Sequence, residues 1–287
     1  MNKIGLVFSG GGGKGAYEFG VWKAIRELQL EQMITGISGT SIGGLNGVLF
    51  AMRDYETCEK VWNYACVERK SEQLSSDAKL KLLSALKNKI DKNEIINEAQ
   101  SAIDNWLHQG FLSTRKLSSL IKQEVDFNKL KDSDCDAYIT CHDYIKNEAI
   151  YFHIKNEENP KKLAKILRAT ASIPIIFAPV LIDKHIYGDG GMSDNTPIKP
   201  LYENGFKKII VIRLSKKEET DDQKMFPNAK IYTLYPKVDM GNFIDGSLNF
   251  YSEVIKDRIN RGYEEGKAFL LANKEIFLDE DEIIKVN

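Results

Sequence analysis

Thr35-Gly36-Ile37-Ser38-Gly39-Thr40-Ser41-Ile42-Gly43-Gly44-Leu45-Asn46-Gly47 carries Ser41 between small residues, where a buried strand is expected to turn into a helix. Gly39, Ser41 and Gly43 satisfy G-x-S-x-G. In that pattern a serine sits on a strained strand-to-helix turn, and the glycines two positions either side let neighbouring chain approach. The hydroxyl then stands at a helix N-terminus, where peptide dipoles favour developing negative charge. Ser41 is therefore the candidate nucleophile. The pattern alone is common in glycine-rich loops and needs support from elsewhere in the chain.

Support comes from upstream. The run Ile4-Gly5-Leu6-Val7-Phe8 reads as a buried strand, Ser9-Gly10-Gly11-Gly12-Gly13-Lys14-Gly15 as a loop, and residues 16–28 as a helix with Phe19, Trp22 and Ile25 on one side. Strand, glycine loop and helix make an anion-binding arrangement, because bare backbone N–H groups crowd against an oxygen and the helix adds its dipole. The loop also fits G-x-G-x-x-G through Gly10, Gly12 and Gly15. A dinucleotide site wants an acidic residue at the end of the next strand, and here that strand, read at 33–37, runs into Ser38-Gly39-Thr40-Ser41. A P-loop wants Ser or Thr after Gly13-Lys14, and Gly15 stands there. An oxyanion hole built from Gly10, Gly11, Gly12, Gly13 and Lys14 is the preferred reading over a nucleotide site or a plain turn.

The totals exclude other classes. Lys and Arg number 40 against 41 Asp and Glu, a net charge of -1, so no global basic field argues for nucleic acid. Cys58, Cys66, Cys135 and Cys141 show no C-x-x-C spacing and read as reduced thiols, so neither a metal nor a cofactor is expected. The apolar run 4–8 is too short for a signal peptide, and no segment reaches the ~18 apolar residues of a membrane span. A cytoplasmic protein is expected, with peripheral membrane association and export without a cleaved signal both compatible.

Residues 42–52 are apolar enough for a buried helix. From 69 to 131 the chain turns charged and helical, a helical insertion or cap in the first half. Leu80, Leu83, Leu86 and Ile90 recur at helical spacing among lysines, and a second stripe covers 95–107. Such a basic amphipathic helix can lie on an anionic membrane surface, but a helix packed on the protein with its lysines in water is the preferred reading. A helix over 115–125, capped by Ser113 or Thr114, precedes a hairpin of 136–144 and 149–154 around Ile145-Lys146-Asn147-Glu148. Pro160 opens a helix to about 169. The prolines of Ala171-Ser172-Ile173-Pro174-Ile175-Ile176-Phe177-Ala178-Pro179 predict an extended, buried path. A short strand over 182–187 leads to Gly188-Asp189-Gly190-Gly191, where a carboxylate projects from a tight turn. Asp194 and Asn195 read as turn and capping groups before a short helix opened by Pro197. Strands follow at 208–214 and 229–234, then a long helix over 247–273 packed on the sheet, and an acidic tail over 275–287.

Ser9-Gly10-Gly11-Gly12-Gly13-Lys14-Gly15-Ala16-Tyr17, then Gly39-Thr40-Ser41-Ile42-Gly43, the Ser172-Ile173-Pro174 to Phe177 segment and finally Asp189-Gly190-Gly191 together resemble the patatin-like phospholipases. The alternation of strands and helices predicts an α/β domain layered about a largely parallel sheet, and 1–287 reads as one such domain. The resemblance implies a Ser41-Asp189 dyad in which the carboxylate takes the serine proton directly. Gly15, Gly39, Gly43, Gly190 and Gly191 are implied as motif support. It also implies a lipid or acyl-ester substrate and hydrolysis through an acyl-enzyme. A histidine triad needs a base after the acid, whereas His108, His142, His153 and His185 all precede Asp189. His185, four residues before it, is the one competitor. Two alternatives stay open: acyl transfer to an acceptor other than water, and a non-catalytic lipid-binding protein on the same fold.

Overall fold

The five residues of β1, Ile4–Phe8, are all buried, as apolar runs are when a strand is covered on both faces. The computed structural model describes residues 3–66, 114–174, 176–215 and 221–278. After β1 come α1 (Ala16–Glu27), β2 (Ile34–Thr40), α2 (Ile42–Ala51) and α3 (Tyr55–Ala65). Two helices follow, α4 (Thr114–Glu124) and α5 (Phe127–Asp132), then β3 (Asp136–Asp143) and β4 (Glu148–His153). The chain continues as α6 (Pro160–Thr170), β5 (Val180–Ile182), β6 (His185–Asp189) and α7 (Lys199–Glu203). It closes with β7 (Lys208–Ile212), α8 (Asp222–Met225), β8 (Lys230–Leu234) and α9 (Ser252–Ala272).

The strands form one sheet in the order β5-β6-β3-β2-β1-β7-β8, with β4 also paired to β3. From β3 to β8 the path is parallel, and β4, β5 and β6 join it antiparallel. The larger core packs α1, α2, α3, α6 and α9 around residues such as Leu6, Phe8, Trp22, Ile37 and Phe50. The opposite face carries a smaller cluster, Val7, Tyr138, Ile198, Leu201, Phe206 and Ile209. This is the layered α/β architecture with a mainly parallel sheet that the strand-helix alternation predicts.

Several local expectations need correction. The 171–179 stretch does not run extended: Ile176 and Phe177 N–H groups both bond back to Ile173 O, so the chain curls about Pro174. A proline tolerates the first position of such a turn because its missing N–H would be unpaired there. The single strand read at 182–187 is a hairpin, β5 to β6, turned by Asp183 (φ 45°) and Lys184 (φ 70°). Two left-handed residues match the twist of a tight hairpin, and their identity hid it because neither is Gly or Asn. The last helix starts at Ser252, preceded by a π-type turn over Phe243–Ser247, and lies along α1, where the backbones meet at Gly20 and Gly262. Pro197 lies two residues before α7. The stripes read at 79–92 and 95–107, His108 and the tail beyond 278 lie outside the described residues.

Candidate active site

Two chain crossings bring Ser41 and Asp189 together. Along one edge of β3, β2 pairs as far as Thr40 with Thr140, and from the next residue β6 takes over, with Asp189 opposite Cys141. Ser41 leaves the sheet where Asp189 joins it. Ser41 Oγ donates to Asp189 Oδ2 at 2.6 Å, and the two residues are 5% and 6% exposed.

Ser41 adopts φ 56° and ψ -126°, a left-handed conformation that a non-glycine residue holds only when its surroundings fix it. Its N–H donates to Thr170 Oγ1 at 2.9 Å, and that hydroxyl donates to Thr140 O at 2.6 Å. The C-terminus of α6 thus anchors the turn to β3. Gly43 lies against Phe8 O, and Gly39 against the backbone of Gly43 and Gly44, so a Cβ at either would strike main chain. These contacts give the two motif glycines their physical reason.

Asp189 Oδ1 accepts from Gly191 N at 2.8 Å. Burial pushes its carboxyl up from 3.8 to about 6, against the opposing hydrogen bonds from Ser41 and Gly191. Gly190 packs on the Thr140 carbonyl, closing the turn over β3.

The glycine loop borders the same cleft, of about 560 Å³, with Gly10, Gly11, Gly12 and Lys14 in its lining. The five residues 10–14 are not equally placed. Gly10 N–H donates to Asn195 O at 2.9 Å and Lys14 N–H to Gly11 O at 3.1 Å, so both amides are spent within the fold. Gly12–Gly15 forms a 3₁₀ turn, whose opening N–H groups have no partner inside the turn. Gly11 and Gly12 line the cleft, Gly12 with φ 55°, while Gly13 is buried against Asn249 O. Gly15 packs on Ile42 at the start of α2. Burial and the nearby Arg258 charge lower the Lys14 ammonium, and Asp239 opposes them.

Asn195 does more than cap a turn. It receives Gly10 N–H on its carbonyl and donates Nδ2 to Gly10 O at 3.1 Å, while its side chain abuts Gly191. It clips the glycine loop to the turn that carries Asp189. Ser9, Ser38 and Thr40 support that clip: their hydroxyls bond to Thr196, to Pro197 O and to Asp194 O. Single hydroxyls in strands carry no sequence signal for such long-range stitching.

The three described histidines have partners of their own. His185 Nδ1 meets Asp143 Oδ2 at 2.6 Å, His142 meets Ser193, and His153 meets Asp136 at 3.2 Å. Burial pushes the Asp143 carboxyl up, but the Lys146 and Ile145 N–H groups and His185 outweigh it and hold it below its ordinary value. Cys58, Cys66, Cys135 and Cys141 are all free thiols.

Over residues 6–202 the chain matches the patatin-like phospholipase family, and it belongs to that family. Among curated relatives, it is 23% identical over 220 residues to lysophospholipase NTE1 of Cryptococcus neoformans, covering 76% of this chain and 12% of that protein. It is 27% identical over 222 residues to patatin-like phospholipase domain-containing protein 7 of Rattus norvegicus, covering 77% of this chain and 14% of that one. The chain thus spans about one eighth of the length of these relatives. Among solved structures, VipD from Legionella pneumophila superposes with a TM-score of 0.51 at 15% identity, over 95% of this chain and 67% of that one. That likeness is one of fold. Among the described residues no helix is long and apolar enough to cross a membrane.

Proposed function

We propose that the chain hydrolyses carboxylic esters of lipids, phospholipid or lysophospholipid, with Ser41 as nucleophile and Asp189 as its base. The observation that carries this reading is the 2.6 Å hydrogen bond between a left-handed, buried Ser41 and an Asp189 raised to about 6. A carboxylate of ordinary pKa is a weak base at neutral pH; one at about 6 is closer to the working range and still ionised at pH 7.

Ser41 Oγ attacks the ester carbonyl as its proton passes to Asp189. Negative charge collects on the carbonyl oxygen, where the Gly11 and Gly12 amides receive it, one such donor being worth ~10² to 10³ in rate. The C–O bond breaks, the leaving alcohol takes the proton from Asp189, and an acyl-Ser41 ester remains. Water then adds as Asp189 takes its proton, and the acid is released with Ser41 restored. Transfer of the acyl group to another alcohol uses the same steps with that alcohol in place of water.

Fatty-acid release from mixed phospholipid vesicles, compared between wild type and folded Ser41→Ala, tests the proposal. Release by wild type and a loss of about 10⁴-fold or more in the variant are expected. Equal release by both would remove Ser41 as the nucleophile, and an inactive wild type that resists a fluorophosphonate would remove catalysis itself.

A further inference from the structure

Arg258 lies on α9, far along the chain from any motif, yet it packs against the glycine loop. It is 4% exposed, and a Cβ on Gly13 would stand 3.1 Å from its Nη1. Nη1 donates to Asn249 O at 2.9 Å and Nη2 to Met240 O at 3.2 Å. Both acceptors are carbonyls, and among the described residues no carboxylate forms an ion pair with it. The charged neighbours are Asp257 and Arg261 on its own helix and Lys14 on the loop, and burial lowers Arg258 to about 10, where it remains fully protonated. A buried cation of this kind costs solvation and persists where its field is used.

The segment it holds is the outer wall of the oxyanion loop. Ser247 O faces Gly12, whose amide is proposed to receive the oxyanion, and Asn249 O faces its neighbour Gly13, so two carbonyls present their negative ends to the loop. Unopposed, those dipoles would work against the transition state. The guanidinium bonds to one of them and places a fixed positive charge behind the loop, in a site of low polarisability where such charge acts strongly.

Resting on the hydrolase reading above, we propose that Arg258 is a positioning residue for the oxyanion loop, holding the 240–249 segment against Gly12 and Gly13 and countering its carbonyls. Because the oxyanion exists only after attack, the contribution belongs to the transition state and not to substrate binding.

The test is steady-state hydrolysis of an uncharged, soluble p-nitrophenyl ester by wild type, Arg258→Met and Arg258→Lys, with folding of each followed by circular dichroism. Arg258→Met is expected to lower kcat about 10- to 100-fold, with KM within about 3-fold, and Arg258→Lys to recover most of that loss. Fluorophosphonate labelling of Ser41 should slow in parallel with kcat. Wild-type kcat in folded Arg258→Met, or a loss confined to KM, would overturn the assignment. If Arg258→Met does not fold, the neutral Arg258→Gln decides: a folded variant that loses about 10-fold or more in kcat with KM unchanged supports the assignment, and a smaller loss in kcat or one confined to KM refutes it. A wild type that neither hydrolyses nor labels would fell the hydrolase reading together with this one, whereas an active wild type confines failure to Arg258.

Discussion

The two halves of the sheet deliver their residues in different ways. Ser41 leaves β2, a parallel strand paired on both sides and covered on both faces, and it holds a backbone conformation that only dense packing sustains. Asp189 ends β6, which joins β3 antiparallel through three residues and carries beyond it only the edge strand β5. On that hairpin Leu181 is 60% exposed and Ile186 41%. A nucleophile needs a strained geometry and therefore a rigid core. An acid needs only position and dryness, which a short edge strand supplies.

Substitutions on each side should break this comparison differently. Asp189→Asn is expected to lose about 10² to 10⁴ in rate with the fold intact, measured as ester turnover. Its stability should move the other way. The folded carboxyl titrates at about 6 and the unfolded one at 3.8, so this group costs the fold nothing below about 4 and its cost grows as pH rises toward 6. Asn, free of the charge, should be more stable by up to about 3 kcal/mol at pH 8 and equal at pH 3, as read by denaturant unfolding. A variant with the wild-type pH dependence would show that Asp189 is not the buried titrating group.

Asn195→Ala should come next, lowering kcat about 10-fold by removing the side-chain half of the clip between Gly10 and the Asp189 turn while the main-chain bond stays, with less effect on thermal unfolding than on turnover. Ser41→Gly sharpens the other side: inactive, yet about 1 kcal/mol more stable, because glycine accepts the left-handed turn without strain. A destabilised Ser41→Gly would mean that the turn is not strained. The smallest expected effect is that of His185→Ala, less than about 3-fold in kcat, since its ring is occupied by Asp143. The acid limb of the rate profile, expected near 6, lies too close to an imidazole value to discriminate by position. Its survival in His185→Ala is the discriminating result.

What the sequence revealed was local. The glycine loop, the elbow at Ser41 and the Asp189 turn are each written in a few adjacent residues, because tight turns demand glycine wherever main chain meets main chain. The parallel strands were legible as apolar runs. The β5 to β6 hairpin was not, since Asp183-Lys184 lacks the usual turn residues, and its alternation reads as one short strand. The curl about Pro174 was hidden for a related reason: proline constrains φ equally in a turn and in an extended path. Thr170, Asn195 and Arg258 act across 129, 185 and 245 residues of chain, on Ser41, Gly10 and Gly13 respectively, and no window along the sequence brings such partners together. The split of donors within 10–14 likewise depends on which amides the fold has already used.

The attachment of β6 to β3 through Cys141, His142 and Asp143, with one further bond from Tyr144 N–H to Ile186 O, also bears on how the molecule loses its order. Regions joined by few ladder bonds open with less free energy than the whole chain requires. Amide protons of the β5 to β6 hairpin should therefore exchange with deuterium sooner than those of β1, β2 and β7. On warming, the Ser41-Asp189 pair would come apart while the parallel strands still stand, so that heat inactivation precedes global melting.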